Sequence, residues 1–154
     1  MQADKKRIVI IKPGIWNNVK YTKEDIRKAF KKTDWNKAKK IFLDFEEQSS
    51  CFVGELRDIK LTKTGWITAI PNFFDKVAKK YYNTGFEVCP KITGEYTKNK
   101  LPRLKNSNFD SMGFSYLSAI NSDKYKNKRI KEYNSSKQAN QFYNFLEKRL
   151  KKKE

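Results

Sequence analysis

The apolar residues of this sequence fall into short β-branched or alternating runs that are separated by turn residues. Arg7–Lys12 ends at Pro13-Gly14, and Cys51–Leu61 alternates in polarity before the turn Thr62–Gly65. Runs of this kind are typical of strands, and two of them on either side of a short turn predict a β-hairpin. No run approaches the length of a membrane span. The chain is therefore expected to build its core around a sheet.

The remaining patterns predict more strands and three helices. The first helix begins after the capping residue Thr22 and runs to about Lys32, and the second opens at Pro71-Asn72. The third is capped by Ser135-Ser136 and carries one apolar face. The other expected segments are strands Ile41–Glu46, Trp66–Ile70, Phe86–Thr93 and Ser111–Ile120, and a long basic loop Gly94–Asn108.

These elements predict an α+β fold in a single domain. We expect a mostly antiparallel sheet or a small, partly open barrel, flanked by two or three helices and followed by a C-terminal amphipathic helix. The predicted divisions are a core domain over residues 1–120, a basic linker over 121–134 and the amphipathic helix over 135–154.

The charge of the chain predicts binding to an acidic partner. Lys and Arg number 35 against 17 Asp and Glu, a formal net charge of +18. Residues 1–40 carry +9 and residues 121–154 carry +7, whereas residues 41–93 are neutral. This distribution favours a neutral body with basic ends. The predicted binding residues are Lys98, Lys100, Arg103, Lys105, Lys124, Lys126, Lys128, Arg129, Lys131, Lys148, Arg149, Lys151 and Lys152.

The absence of histidine excludes the mechanisms that use an imidazole. With no His in the chain, Ser-His and Cys-His catalytic pairs and His-ligated zinc are ruled out. Two cysteines, Cys51 and Cys89, are too few for a disulfide framework or a cysteine metal site. No phosphate-binding glycine-rich loop is present either. We therefore expect no metal and no cofactor.

Several motifs occur in an order that resembles a known family. Asp44-Phe45-Glu46-Glu47-Gln48 is followed by a strand containing Gly54, the Gly65-Trp66 hairpin, a helix and then Gly85-Phe86-Glu87-Val88-Cys89-Pro90. This order resembles the capsid maturation (prohead) proteases of tailed phages, above all the protease–scaffold proteins of Mu-type phages, which share the herpesvirus assemblin fold. The resemblance extends from Lys20 to Ile120.

The resemblance implies that the chain is a catalytically inactive relative. The catalytic His of the family falls on Glu47, and its nucleophilic Ser falls on Cys89. A carboxylate near its usual pKa is a poor base for a thiol at neutral pH, and a Cys–Glu pair lacks the cation that stabilises a thiolate. Glu47 and Cys89 are therefore interpreted as vestigial positions, and no catalytic residue is expected. A Cys-dependent maturation protease stays an alternative.

Resemblance and charge together imply a structural role in a phage head. The expected function is that of an auxiliary, decoration or scaffold-like protein of the virion, made in the host cytoplasm. Its partner would be the major capsid protein lattice, with self-association as a further alternative, and no membrane is involved. The alternative function is nonspecific nucleic-acid binding by a packaged or DNA-contacting head protein, because lysine predominates over arginine and suits phosphate contacts.

Overall fold

The computed structural model describes residues 7–16, 18–82, 86–115 and 137–151. The strands are β1 Ile8–Ile11, β2 Gly14–Trp16, β3 Val19–Tyr21, β4 Lys40–Leu43, β5 Phe52–Leu61, β6 Ile67–Phe73, β7 Glu87–Tyr96 and β8 Leu104–Ser115. The helices are α1 Lys23–Lys32, α2 Trp35–Ala38, α3 Lys76–Tyr81 and α4 Lys137–Lys151. A single 3₁₀ turn, Ser49–Cys51, precedes β5. The sequence pattern predicts no element at β2, β3 or α2.

Six of these strands form one mixed sheet in the order β1-β6-β5-β4-β8-β7. Neighbouring strands are antiparallel except β4 and β8, which are parallel, with Ile41 opposite Met112 and Leu43 opposite Phe114. The sheet curls until its edge strands β1 and β7 approach each other, so that it makes a half-barrel. β2 and β3 form a separate two-stranded sheet. The predicted α+β, single-domain fold with a partly open barrel is confirmed.

The first helix begins where its capping sequence predicts. Helix α1 starts at Lys23, directly after Thr22. The Thr22 side chain accepts a hydrogen bond from the backbone N–H of Asp25. This cap satisfies one of the backbone donors that the first turn of a helix leaves without a partner. Ile26 and Ala29 are buried on one face of α1. That face packs across β8, and the lysines of the helix are exposed.

The prediction that Pro71-Asn72 opens the second helix is wrong. β6 continues through Phe73, with Pro71 opposite Leu56 of β5. Proline is tolerated there because β1, on the other side of β6, pairs only as far as Ala69, so no ladder partner needs the missing N–H. Helix α3 starts at Lys76 instead, and the Asp75 carboxylate caps it by accepting from the N–H groups of Val77 and Ala78.

The long loop predicted over Gly94–Asn108 is also wrong. β7 runs to Tyr96 and β8 starts at Leu104, so most of this segment is a β-hairpin with a turn between them. The ribbon is exposed on one side, and its polar residues therefore give no apolar alternation that would predict a strand. The strand predicted over Ser111–Ile120 is confirmed as far as Ser115, and residues 116–120 lie outside the described residues.

The C-terminal helix packs on the same core as the sheet. Phe142 and Leu146 of α4 are buried, and the Phe142 ring lies 4.7 Å from Phe86 and 6.1 Å from Phe114 between centroids. Arg149 donates to the Asp75 carboxylate at 2.6 Å, which ties α4 to the start of α3. Helix α4 is thus part of the folded body. The predicted linker 121–134 lies outside the described residues.

Replacing Phe142 by Ala should destabilise the whole fold. Phe142 is 1% exposed, and truncation of a fully buried Phe removes apolar burial and leaves a cavity, at a cost of about 3–5 kcal/mol. Gln141→Ala, at an exposed position of the same helix, is the control and should change stability by less than about 0.5 kcal/mol. Urea denaturation followed by circular dichroism measures both. Equal stability of the two variants would contradict the packing of α4 on the core.

Candidate functional site

The segment that carries the predicted vestigial glutamate begins with a sharp turn after β4. Asp44 and Phe45 both have left-handed backbones, with φ of 47° and 65°, and the N–H of Asp44 donates to the carbonyl of Phe114. The turn lays the Phe45 ring against Gly113 of β8. A Cβ at Gly113 would lie 2.4 Å from that ring, so the contact requires glycine. Glu47 follows on the same side of the sheet.

The carboxylate of Glu47 is held by two side chains of the β7–β8 hairpin. Its Oε2 accepts from the Ser111 hydroxyl at 2.8 Å and from the Lys91 ammonium at 3.0 Å. Lys91 and Ser111 lie directly opposite each other in the ladder. Burial acts to raise the pKa of Glu47, but the hydrogen bonds from Ser111 and Lys91 outweigh it and hold the pKa below its ordinary value. Glu47 is therefore a weak base at neutral pH.

Cys89 lies two residues before Lys91 on the same hairpin. It is opposite Gly113, is 1% exposed, and its Sγ lies 3.9 Å from the Gly113 carbonyl oxygen. The two predicted vestigial positions thus occur close together, Glu47 beside the pair Lys91–Ser111 and Cys89 two residues along β7. The other cysteine, Cys51, is buried too, and burial raises the pKa of its thiol. A nucleophile needs substrate access, and the burial of Cys89 withholds it.

Both cysteines of the native protein should be unreactive toward a thiol-specific disulfide reagent. Cys51 and Cys89 are buried, so the reagent reaches either thiol only when the chain opens. Slow or absent reaction is expected in buffer, and two equivalents should react promptly in guanidinium chloride. Absorbance of the released thiol measures the rate. Prompt reaction of one native thiol, lost in Cys89→Ser, would contradict the interpretation of Cys89 as inert.

A cleft of about 260 Å³ opens between helix α1 and the start of β8. We call it the basic cleft, and its lining residues are Asp25, Lys28, Lys32, Arg103, Leu104, Lys105, Asn106 and Ser107. Four of these side chains are cationic and one is a carboxylate, so the lining has an excess of three positive charges. A concave surface with charge of a single sign concentrates oppositely charged ligands.

Each wall of the basic cleft follows from local structure. Lys28 and Lys32 are four residues apart on α1, so they lie on the same side of the helix, one turn apart. The opposite wall is the start of β8, where Asn106 has a left-handed backbone with φ of 52°. Its carbonyl accepts from the Lys32 ammonium at 3.2 Å. Lys105 is exposed beside it.

A bidentate ion pair closes one end of the basic cleft. Nε and an Nη of Arg103 both donate to the carboxylate of Asp25 at 2.9 Å, and Asp25 is only 9% exposed. The hydrogen bond from Arg103 holds the pKa of Asp25 below its ordinary value, and the same bond raises the pKa of Arg103. The guanidinium is thereby fixed in position. By contrast, no carboxylate among the described residues lies within ion-pair distance of Lys28 or Lys105.

The structure brings together only part of the predicted binding set. Arg103 and Lys105 line the basic cleft, Lys98 and Lys100 are exposed in the turn between β7 and β8, and Lys148 is exposed on α4. Arg149 instead serves the fold, because it pairs with Asp75 and lies over the Phe145 ring. Lys151 ends α4. The others lie outside the described residues: Lys124, Lys126, Lys128, Arg129, Lys131 and Lys152.

Sequence reasoning missed the lysines of α1 as site residues. Lys28 and Lys32 belong to the basic stretch 1–40. The charge pattern predicts that this stretch is a basic end that lies outside the neutral folded body. In the structure, residues from Arg7 onwards form β1, β2, β3, α1 and α2 and belong to the body. The spacing of Lys28 and Lys32, on the side of α1 away from its apolar face, is the signal that could have marked them.

Comparisons with known proteins add no further assignment. No family model, no curated protein and no solved structure matches this chain. The resemblance to prohead proteases therefore stays a prediction. Among the described residues, no helix is long and apolar enough to cross a membrane, and no group of potential ligands is arranged to hold a metal ion.

Replacing Asp25 by Asn should destabilise the protein at neutral pH and less so in acid. Asp25 has a lowered pKa in the folded state, so its stabilising contribution is complete above its unfolded pKa and is lost as the pH falls through its folded pKa. The difference in unfolding free energy between wild type and Asp25→Asn should thus shrink below about pH 4.

Urea denaturation at neutral and acidic pH measures this difference. Glu24→Gln is the control, because Glu24 lies next to Asp25 but its side chain is 61% exposed, and exposed pairs contribute little. A difference for Asp25→Asn that stays constant down to low pH would contradict the role of the ion pair with Arg103.

Proposed function

We propose that this protein is a non-catalytic nucleic-acid-binding protein that holds phosphate groups in the basic cleft. The observation that carries the proposal is the lining of that cleft, where four cationic side chains accompany a single carboxylate. That carboxylate, Asp25, is already bound to Arg103. Lys28, Lys32 and Lys105 therefore present positive charge to a ligand, and ammonium groups of this kind bind the phosphate backbone without reading sequence.

The absence of an equipped catalytic pair supports a binding role. Glu47 is engaged by Lys91 and Ser111, and Cys89 is buried. A binding surface needs neither group. On the resemblance to prohead proteases, we infer that the protein belongs to the head of a tailed phage. This placement rests on the resemblance alone.

A second candidate partner is the major capsid protein, and a partly exposed row of aromatic rings favours it. Phe42 and Phe52 have ring centroids 5.5 Å apart, and Phe74 meets Phe52 edge-on at 5.0 Å. Phe74 is 55% exposed, and Val77 beside it is 37% exposed. Exposed apolar clusters are typical of protein–protein contacts. This row would dock on capsid protein while the basic cleft binds phosphate.

Removing two cleft lysines should weaken DNA binding and its salt dependence. The variant is Lys28→Gln with Lys105→Gln, and the probe is a short fluorescent DNA, single-stranded or duplex, titrated at several salt concentrations. Loss of two phosphate contacts should lower the slope of log affinity against log salt by about 1.4 for a single strand and about 1.8 for a duplex. Fluorescence anisotropy measures both affinity and slope.

The matched control removes the same charge elsewhere. Lys79 and Lys80 are exposed on α3, so Lys79→Gln with Lys80→Gln has the same net charge as the cleft variant. It should bind nearly as the wild type does. Equal weakening of both variants would show that binding depends on net charge and would contradict a role for the cleft. Tight binding to assembled phage capsids without any DNA binding would overturn the proposal in favour of the capsid candidate.

A further inference from the structure

An exposed tyrosine adjoins the basic cleft. Tyr96 is the last residue of β7 and is 64% exposed. It lies opposite Leu104 in the β7–β8 ladder, and Leu104 lines the cleft. Residues opposite each other in an antiparallel pair project from the same face of the ribbon. Tyr96 is therefore on the same face of the ribbon as Leu104, at the edge of the cleft.

The surroundings of Tyr96 hold this part of the ribbon in place. The N–H of Thr97 donates to the carbonyl of Arg103 at 2.9 Å, and the N–H of Arg103 returns a bond to the Thr97 hydroxyl at 2.9 Å. The N–H of Lys20 donates to the carbonyl of Pro102 at 2.8 Å, which attaches the turn to β3. The turn is thus bonded on two sides, although its lysines Lys98 and Lys100 point into solvent.

A second tyrosine, Tyr21, belongs to the strand beside the start of β8, because its neighbour Lys20 forms a parallel bridge with Arg103. Burial, together with the charge that Tyr96 would carry, raises the pKa of Tyr21 to about 12. Tyr21 ends β3 and is half-buried. Tyr96 is more exposed, so that much of its ring is open to water. A large exposed aromatic surface between lysines is suited to flat ligands that also carry negative charge.

We propose that the protein binds single-stranded nucleic acid in preference to duplex, with a base stacked on Tyr96 and the adjoining phosphates in the basic cleft. This inference rests on the proposed function. Only an unpaired base exposes a face to Tyr96, because the bases of a duplex are stacked inside the helix. The phosphates on either side of the stacked base then fall to a lysine of the basic cleft and to Lys98 or Lys100. Stacking tolerates every base, so binding is independent of sequence.

The test compares three labelled DNA probes of equal length by fluorescence anisotropy: a thymine single strand, an abasic single strand and a duplex. Wild type should bind the thymine strand more tightly than either of the others. Tyr96→Ala should bind the thymine strand about tenfold more weakly, as expected for the loss of one stacked base. It should bind the abasic strand as wild type does, because that strand has phosphates but no bases.

Two further variants separate stacking from other effects. Tyr96→Phe keeps the aromatic face and should retain the preference for the thymine strand. Phe74→Ala removes another exposed aromatic ring, outside the cleft, and should leave all three affinities unchanged. Equal affinity of wild type and Tyr96→Ala for the thymine strand would overturn the inference.

The outcomes also separate this inference from the proposed function. If wild type binds all three probes equally and loses affinity with Lys28→Gln and Lys105→Gln, the basic cleft holds phosphate and the stacking inference is wrong. If wild type binds none of the probes, the proposed function fails, and the stacking inference fails with it.

Discussion

The parallel pairing of β4 with β8 is the interaction on which the rest of the structure depends. It joins two antiparallel units, the four strands β1-β6-β5-β4 and the hairpin β7–β8, into one sheet. Ile41, Leu43, Met112 and Phe114 on these strands are fully buried. Parallel neighbours require a long connection, and here every element from β5 to β7 lies between them along the chain. The core closes only when this long-range contact forms.

The two sites of interest lie on the same strand. The second half of β8 carries Ser111 and Gly113, which contact the segment after β4, whereas its start carries Lys105 at the basic cleft. In the first region the Glu47 carboxylate is bound by the Lys91 ammonium and the Ser111 hydroxyl. In the second region the cationic groups exceed their partners. We therefore interpret the second half of β8 as contributing to stability and its start as the ligand-binding part.

The Asp25–Arg103 pair explains how a cluster of cations persists at the fold's surface. Asp25 offsets part of the positive charge between α1 and β8. Its nearly buried carboxylate accepts two hydrogen bonds from the guanidinium of Arg103. A buried carboxylate without such a partner would be strongly destabilising. The pair also ties α1 to the hairpin, so that Lys28 and Lys32 face Lys105 across a defined gap. The ligand-binding charges are therefore arranged by an ion pair that binds no ligand.

Short sequence motifs correctly predicted the elements that depend only on residues close together in the sequence. The Thr22 cap and the β5–β6 hairpin around Gly65, with φ of +84°, depend on residues near in sequence, and both predictions are confirmed. The errors at Pro71 and over Gly94–Asn108 have a different origin. The segment at Pro71 is a strand because it pairs with β5, and the segment over Gly94–Asn108 is mostly strand because β7 and β8 pair with each other. In both cases strand pairing overrides a weak local preference for another conformation.

The sequence by itself determined the class of fold, the positive charge and the absence of imidazole chemistry, because these follow from composition and from short-range patterns. It also indicated Arg103 and Lys105 as binding residues. Only the tertiary structure decided that Lys28 and Lys32, more than seventy residues away in sequence, complete the same cleft. The physical reason is the packing of α1 across β8. Burial of its apolar face, with Ile26 and Ala29, brings the charged face of the helix against the start of that strand.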